Sequence, residues 1–444
     1  MIRKVLIANR GEIAVRIIAA CKDLGLRTVA IYSEADRRGA HVRFADEHVC
    51  VGPARASASY LDIPSVISAA LITKADAIHP GYGFLSENPE FAEACGQAGL
   101  KFIGPKPGVM RKMGLKLQAR QAMAEAGIPI LRGSAGVMHG DADASAVAQE
   151  IGYPVLIKAS AGGGGRGMRI VREPKELAEL LRQASQEAEA SFGNGDVYLE
   201  KLVDRPRHIE FQFIADEHGA VRVLGERECS IQRRHQKLIE ESPSPAIKEA
   251  LRQEMSERVA TAMTAVGYTN AGTVEFLMDE AGKLYFIEAN ARIQVEHPVT
   301  EAVTGVDLVK SQIRVAAGER LEDILPINTG LRGHAIECRI NAEHPETFRP
   351  SPGTVTAFMP PSGIGIRVET ALFAGAEVPP YYDSLVAKVI AYGQDRREAI
   401  ARMQRALSMF VIEGIQTSIP FHQRILAHDE FLAGLIDTGF LTRL

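Results

Sequence analysis

From Glu288 to Glu296 every second residue of this 444-residue chain is polar: Glu288, Asn290, Arg292, Gln294 and Glu296 alternate with Ala289, Ala291, Ile293 and Val295. Alternate side chains of an extended backbone point to opposite faces. The pattern therefore predicts a strand through Glu296, with carboxylates, amides and a guanidinium on one face. A plain solvent-facing amphipathic strand carries the same alternation. Hard oxygen ligands beside a planar anion clamp, however, suit a metal next to a small oxyanion.

The preceding residues narrow the geometry. GTVEFLMD, EAGK and LYFIEAN (272–290) read as an antiparallel hairpin turning near Ala281 and Gly282. A two-residue loop places Glu275 opposite Glu288, and a four-residue loop makes them diagonal neighbours. Either even register keeps both carboxylates on one face, within reach of the same ions. A three-residue loop would not.

The length suggests about three domains. With 46% hydrophobic residues, 24% charged and net charge −4, neither a nucleic-acid partner nor a membrane surface is indicated. Cys21, Cys50, Cys95, Cys229 and Cys338 are odd in number and far apart, so neither a disulfide framework nor a CxxC zinc site is suggested, and a reducing cytoplasm fits best. The start lacks an apolar signal core, and no run of about 18 apolar residues offers a membrane span.

Taken in order, residues 5–8, 12–24 and 28–32 read as a βαβ opening, the helix stopping at Gly25. Its first turn holds one glycine, which makes a dinucleotide site weak. Residues 79–88 form a glycine-hinged loop before a helix near Pro89; a structural turn and a ligand loop both fit. Helix 115–126 carries Lys116 in its first turn. Strand 153–160 contains Lys158 and runs into AGGGGRG, after which 168–171 continues as a second strand. No helix N-terminus follows those glycines, so they read as a hairpin able to fold over phosphates or as a plain loop. Residues 226–237 are dense in charge and read as a solvated loop or, from their place between two strand pairs, as a segment that brings His235 and Lys237 to a polyanion. In 335–341, Glu337, Arg339 and Asn341 share one face, where Arg339 also fits as a surface arginine. Residues 396–410 form an amphipathic helix.

Five of these segments, IANRGEIAVRI, HPGYGFLSEN, KASAGGGGRGM, ERECSIQRRHQK and ARIQVEHPVTE, occur in one order across essentially the whole chain. Together they resemble biotin carboxylase, an ATP-grasp family. The resemblance implies an α/β (α+β) fold: a Rossmann-like pre-ATP-grasp domain over 1–113, an ATP-grasp domain over 114–330 with a mobile glycine-rich lid near 131–203, and a mixed α/β C-terminal domain over 331–444. It implies that ATP phosphorylates bicarbonate to carboxyphosphate, whose breakdown delivers CO2 to N1′ of biotin. Glu275, Glu288 and Asn290 would hold Mg2+ or Mn2+. Lys116, Lys158, Gly164 and Gly165 would meet the phosphates; Glu200, Lys201, Leu202, Val203 and Leu277 would line the adenine pocket. His208, Gln232 and His235 would contact ribose or phosphate. Lys237, Arg292, Gln294 and the Val295 backbone would cradle bicarbonate, Glu296 would be the general base, and Arg339 would stabilise the biotin enolate.

The resemblance also implies a homodimer, a separate biotin carboxyl carrier protein, since no Ala-Met-Lys-Met-like segment occurs, and carboxyltransferase subunits. Acetyl-CoA carboxylase is the expected context, with the final acyl acceptor open. This chain departs from the family at Leu115, where aspartate is frequent before the lysine, and at Ala161, Ala19 and Ile364; Asp23 and Arg367 remain compatible with an intersubunit salt bridge. An ATP-grasp carboxylate-amine ligase and an inactive nucleotide-binding subunit are the competing readings. The compact anion clamp opposes the first, and the intact metal and lysine set opposes the second.

Overall fold

The computed structural model describes residues 2–138, 140–160, 168–327 and 329–444. The chain opens with a parallel five-stranded sheet, β1 (Lys4–Ile7), β2 (Arg27–Ser33), β3 (Glu47–Gly52), β4 (Ala77–His79) and β5 (Lys101–Phe102), in the order β3-β2-β1-β4-β5. The apolar run of β1 is buried at Val5, Leu6 and Ile7, as expected of a parallel strand covered on both faces. Helix Gly11–Asp23 packs Ile13, Ile17 and Ile18 inward. Helix Pro89–Gln97 starts where Asn88 Oδ1 accepts the Phe91 N–H at 2.7 Å, a side-chain cap that ends the 79–88 loop.

Three further strands, β6 (Val155–Ala159), β7 (Arg169–Val171) and β8 (Val197–Lys201), make a small antiparallel sheet in the order β7-β6-β8. Strand continuation after the glycine run is thus observed: Val155 pairs with Val171 and Ile157 with Arg169.

The largest sheet has eight strands. Its members are β9 (Arg207–Ala215), β10 (Val221–Arg233), β11 (Gln236–Ser242), β12 (Asn270–Met278), β13 (Leu284–Asn290), β14 (His334–Asn341), β15 (Ile366–Thr370) and β16 (Leu385–Gly393). Their order is β13-β12-β9-β10-β11-β14-β16-β15, so strands from either side of residue 330 share one ladder through the β11·β14 pair. Helix Arg396–Met409 covers its C-terminal part through Ile400, Met403 and Leu407.

Three local expectations change. The charged run 226–237 is not a solvated loop. It belongs to the β10/β11 hairpin, with Glu226, Arg227 and Glu228 buried, because each charge finds a partner inside. The two-residue turn is Arg234-His235, both at positive φ, as a type I′ turn requires.

The alternation beginning at Glu288 is strand only to Asn290. Residues 291–296 are irregular and lead into helix His297–Thr304. The β12/β13 loop is odd rather than even, with 280–282 lying between Asp279 and Lys283, whose backbones bond at 3.0 Å. A bulge corrects the parity: Phe276 pairs with Phe286 but Glu275 pairs with Glu288, leaving Ile287 extra.

Candidate active site

Cross-strand register assembles the site's first row. Glu288 faces Glu275 on β12, Glu275 faces Glu210 on β9, and Glu210 faces Arg227 on β10. Like charges directly opposite repel, so three adjacent glutamates need cations between them. Lys237 of β11 supplies one: its Nζ lies 2.6 Å from Glu210, 3.0 Å from Glu275 and 2.6 Å from Glu296. Arg227 supplies another, with Nε 2.5 Å from Glu210. The Glu288 side chain, facing Glu275, makes no hydrogen bond or ion pair among the described residues.

Glu296, at the end of the irregular segment, is fully buried. Its second oxygen accepts from Arg339 Nη2 at 2.8 Å. Burial works to raise its pKa, but Lys237, then Arg339 and Arg227, hold the carboxyl well below the usual range. The carboxyl is thereby held in its ionised form at a buried position lining the cleft. Arg339 in turn donates from Nε to Glu240 at 2.6 Å, so it is no plain surface arginine.

Leaving the sheet after Asn290 lets Arg292 fold back. It donates to Gln294 Oε1 at 2.7 Å, to Asn290 Oδ1 at 3.2 Å and to Glu87 Oε2 at 2.7 Å. Gln294 Nε2 reaches Glu275 at 3.1 Å. The Val295 carbonyl accepts from Lys388 Nζ at 3.0 Å.

At the other end of the cleft, Glu200 accepts from Lys158 at 2.9 Å and from Arg120 at 2.7 Å. Burial would lower the Lys158 pKa, yet Glu200 and its neighbours hold it above the usual lysine value. Lys116 is lowered by burial, against the pull of Glu288. Lys201 points its ammonium at the Gly152 and Tyr153 carbonyls, at 2.9 and 3.0 Å, so only its backbone and stem face the cleft. Leu131, Leu156, Met168 and Phe286 join Leu202, Val203 and Leu277 in an apolar slot. His208 Nε2 lies 3.0 Å from Glu275, while Gln232 and His235 border the slot from the β10/β11 turn.

Every residue expected from the sequence lines this one cleft of about 1290 Å³, except Gly164 and Gly165, which lie outside the described residues. The sequence reading missed Glu87, Glu210, Arg227 and Lys388. Glu210 was detectable, because His208, Glu210 and Gln212 alternate along β9. Lys388 sits alone in the apolar run LVAKVIA, a pattern typical of a paired buried charge. Glu87 lies in the 79–88 loop, where the glycines allow a ligand loop but do not single out the glutamate.

Oxygen donors at Glu275, Glu288 and Asn290 form a set suited to a hard divalent cation, and the unneutralised Glu288 opposite Glu275 fits one. Among the described residues no helix is long and apolar enough to cross a membrane. Within the chain Asp23 pairs with Lys310 at 2.5 Å, and Arg367 with Glu301 at 2.7 Å.

Known proteins resemble this chain over essentially its whole length. Residues 1–110 match the family model "Biotin carboxylase, N-terminal domain", 116–324 match "Carbamoyl-phosphate synthase L chain, ATP binding domain", and 337–443 match "Biotin carboxylase C-terminal domain". The chain is 53% identical over 442 residues to a biotin carboxylase of Nostoc sp., covering 99% of each. It is 54% identical over 443 residues to biotin carboxylase 1 of Bacillus subtilis, covering 99% of this chain and 98% of that one. Among solved structures, a biotin carboxylase–β,γ-ATP complex from Campylobacter jejuni superposes with a TM-score of 0.97 at 47% identity, covering 100% and 99% of the two chains. The biotin carboxylase domain dimer of Hydrogenobacter thermophilus 2-oxoglutarate carboxylase, bound to MgADP, ADP and bicarbonate, gives 0.94 at 49% identity, covering 100% and 98%. With matches across its whole length and a cleft of the expected composition, the chain belongs to the biotin carboxylase family.

Proposed function

We propose that this chain carboxylates biotin with ATP and bicarbonate through carboxyphosphate, the biotin being carried on a separate carrier protein. The observation that carries the reading is Lys237, whose ammonium joins the metal-type carboxylate Glu275 to the buried base Glu296. Phosphate and bicarbonate chemistry then meet at one cation.

In this reading Glu275, Glu288 and Asn290 hold Mg2+, which when bound neutralises phosphate charge and aligns the γ-phosphoryl group. Lys116 and Lys158 meet the phosphates, and the slot around Leu202, Val203 and Leu277 takes the base. Lys237, Arg292, Gln294 and the Val295 N–H hold bicarbonate. Glu296 removes its proton, and the freed oxygen attacks the γ-phosphorus as ADP leaves. Carboxyphosphate then breaks into CO2 and phosphate, and phosphate takes the N1′ proton of biotin. Arg339 stabilises the resulting enolate oxygen until N1′ attacks CO2.

The division at 1–113, 114–330 and 331–444 belongs to this proposal, as do a homodimer, a cytoplasmic setting and an acetyl-CoA carboxylase context with its carboxyltransferase. A 2-oxoglutarate carboxylase among the similar structures keeps the final acceptor open to assay. Purified protein with ATP, Mg2+ and free biotin is expected to release ADP and form carboxybiotin only with bicarbonate. Turnover without bicarbonate, or turnover requiring an amine, overturns the reading.

A further inference from the structure

Glu240 of β11 stands directly opposite Glu337 of β14, and both are fully buried. A facing pair of anions is unfavourable on two counts, mutual repulsion and the cost of burying each charge. Glu240 Oε1 accepts from Arg339 Nε at 2.6 Å, but among the described residues Glu240 Oε2 and both oxygens of Glu337 have no hydrogen-bond partner. The neighbouring cations are already engaged elsewhere. Arg339 also serves Glu296, and Lys388, across from Arg339 on β16, serves the Val295 carbonyl and Glu12 at 3.2 Å. Lys237 is shared among Glu210, Glu275 and Glu296, and the nearby His297 has its pKa driven well down by burial.

We propose that Glu337 is a positioning residue for the biotin half-site: it remains a neutral acid and donates its proton to Oε2 of Glu240, so that Glu240 stays the anionic anchor of Arg339. This rests on the biotin carboxylase reading above. Facing residues of an antiparallel pair have Cβ atoms about 4.5–5.5 Å apart, a span that two glutamate side chains readily bridge. Burial pushes the Glu337 carboxyl well above the usual range against the pull of Lys388, and Glu240 and Glu296 add to the rise. Glu240 is itself pushed up to about 7 by burial, against Arg339. One proton between the two settles the conflict, and Arg339 decides its place, since its guanidinium favours the ionised form of Glu240.

The arrangement has a use in the reaction. Arg339 spans Glu240 and Glu296 through different nitrogens. When Glu296 takes the bicarbonate proton, Nη2 loses an anionic partner while Nε stays pinned to Glu240. The freed N–H can then turn to the enolate oxygen without the guanidinium drifting.

The test compares Glu337→Gln, which keeps an N–H donor, with the similarly sized Glu337→Leu, which does not. Infrared difference spectra of wild type against Glu337→Gln, recorded on resting protein with and without 13C-glutamate, are expected to contain a protonated-carboxyl stretch. The Gln variant is expected to retain near-native kcat/KM for biotin. The Leu variant is expected to lose about 10- to 100-fold, the worth of one hydrogen bond to a charged group, and far more in biotin carboxylation than in ADP release with bicarbonate alone. Absence of the carboxyl band, equal activity of the two variants, or equal losses in both reactions overturns the proposal. Because the infrared band needs no turnover, its presence in a protein without bicarbonate-dependent ADP release would fault the functional reading instead.

Discussion

Glu296 Oε2 and Arg339 Nη2 lie 2.8 Å apart in a buried ion pair. The proposed base and the proposed enolate stabiliser therefore restrain each other at rest. Protonating the first releases the second, which orders the half-reactions: bicarbonate first, biotin second.

Glu296→Ala is expected to lower bicarbonate-dependent ADP release by about 10²- to 10⁴-fold, the usual cost of a positioned acid–base group. ATP affinity, measured by equilibrium titration, should change little, since the slot proposed for adenine is elsewhere in the cleft. A matching loss of ATP binding would make Glu296 structural.

Glu288→Gln keeps the shape of β13 but removes the charge facing Glu275. The Mg2+ concentration giving half-maximal turnover is expected to rise about tenfold or more, as for loss of a charged contact. An unchanged metal requirement would remove Glu288 from the metal set.

Lys388→Met leaves buried Glu12 without its cation, the Tyr82 hydroxyl being its remaining side-chain donor. Denaturant titration is expected to show a loss of about 3–5 kcal/mol, the usual result of breaking a buried pair from one side. Adding Glu12→Gln should recover most of it. If the double variant is no more stable than the single one, the pair carries no such energy.

Leu115 occupies the N-cap of helix Lys116–Glu125 with extended backbone and no side-chain cap. Leu115→Asp is expected to stabilise the protein by about 1 kcal/mol, visible as a higher denaturation midpoint. No gain would show that the local backbone cannot use the cap.

Stability should depend on pH with opposite signs at two places. Against burial, Lys237 holds Glu275 and Arg16 holds Glu301 below the usual carboxylate range. Their contribution is complete above the unfolded value of about 4.3 and is lost as pH falls through the lower folded values. Glu337, raised by burial, favours the folded state less as pH climbs above about 4.3 toward its folded value. Urea midpoints should fall on acidification below about pH 4.3, and Glu337→Gln should flatten the decline that begins as pH climbs above that value. A parallel profile for that variant would contradict the neutral acid.

The opening βαβ unit, the strand after the glycine run and the shared face of Glu337 and Arg339 were legible because period and turn residues encode them locally. Opposition of Glu275 and Glu288 was legible only by accident of parity, since an odd loop and the Ile287 bulge cancel. The end of β13 was not legible, because Arg292, Gln294 and Glu296 keep a strand's alternation after the backbone has left the ladder. Nor was the burial of 226–237: the partners that make Glu226, Arg227 and Glu228 tolerable inside come from elsewhere in the sequence, such as Arg252 and Thr300. Charge density on a segment records its cost in water-free surroundings but not the distant residues that offset it.

The continuous ladder from β13 to β16 also says what can move. Glu275, Lys237, Arg339 and Lys388 ride on strands of one sheet, so their separations are set by hydrogen-bonded backbone and cannot change without breaking it. Lys158 and Glu200 stand on the separate β7-β6-β8 sheet. A displacement of that small unit would leave Glu275, Lys237, Arg339 and Lys388 on their shared ladder, whereas Arg292, Gln294 and Glu296, beyond the end of β13, are held by side-chain contacts instead.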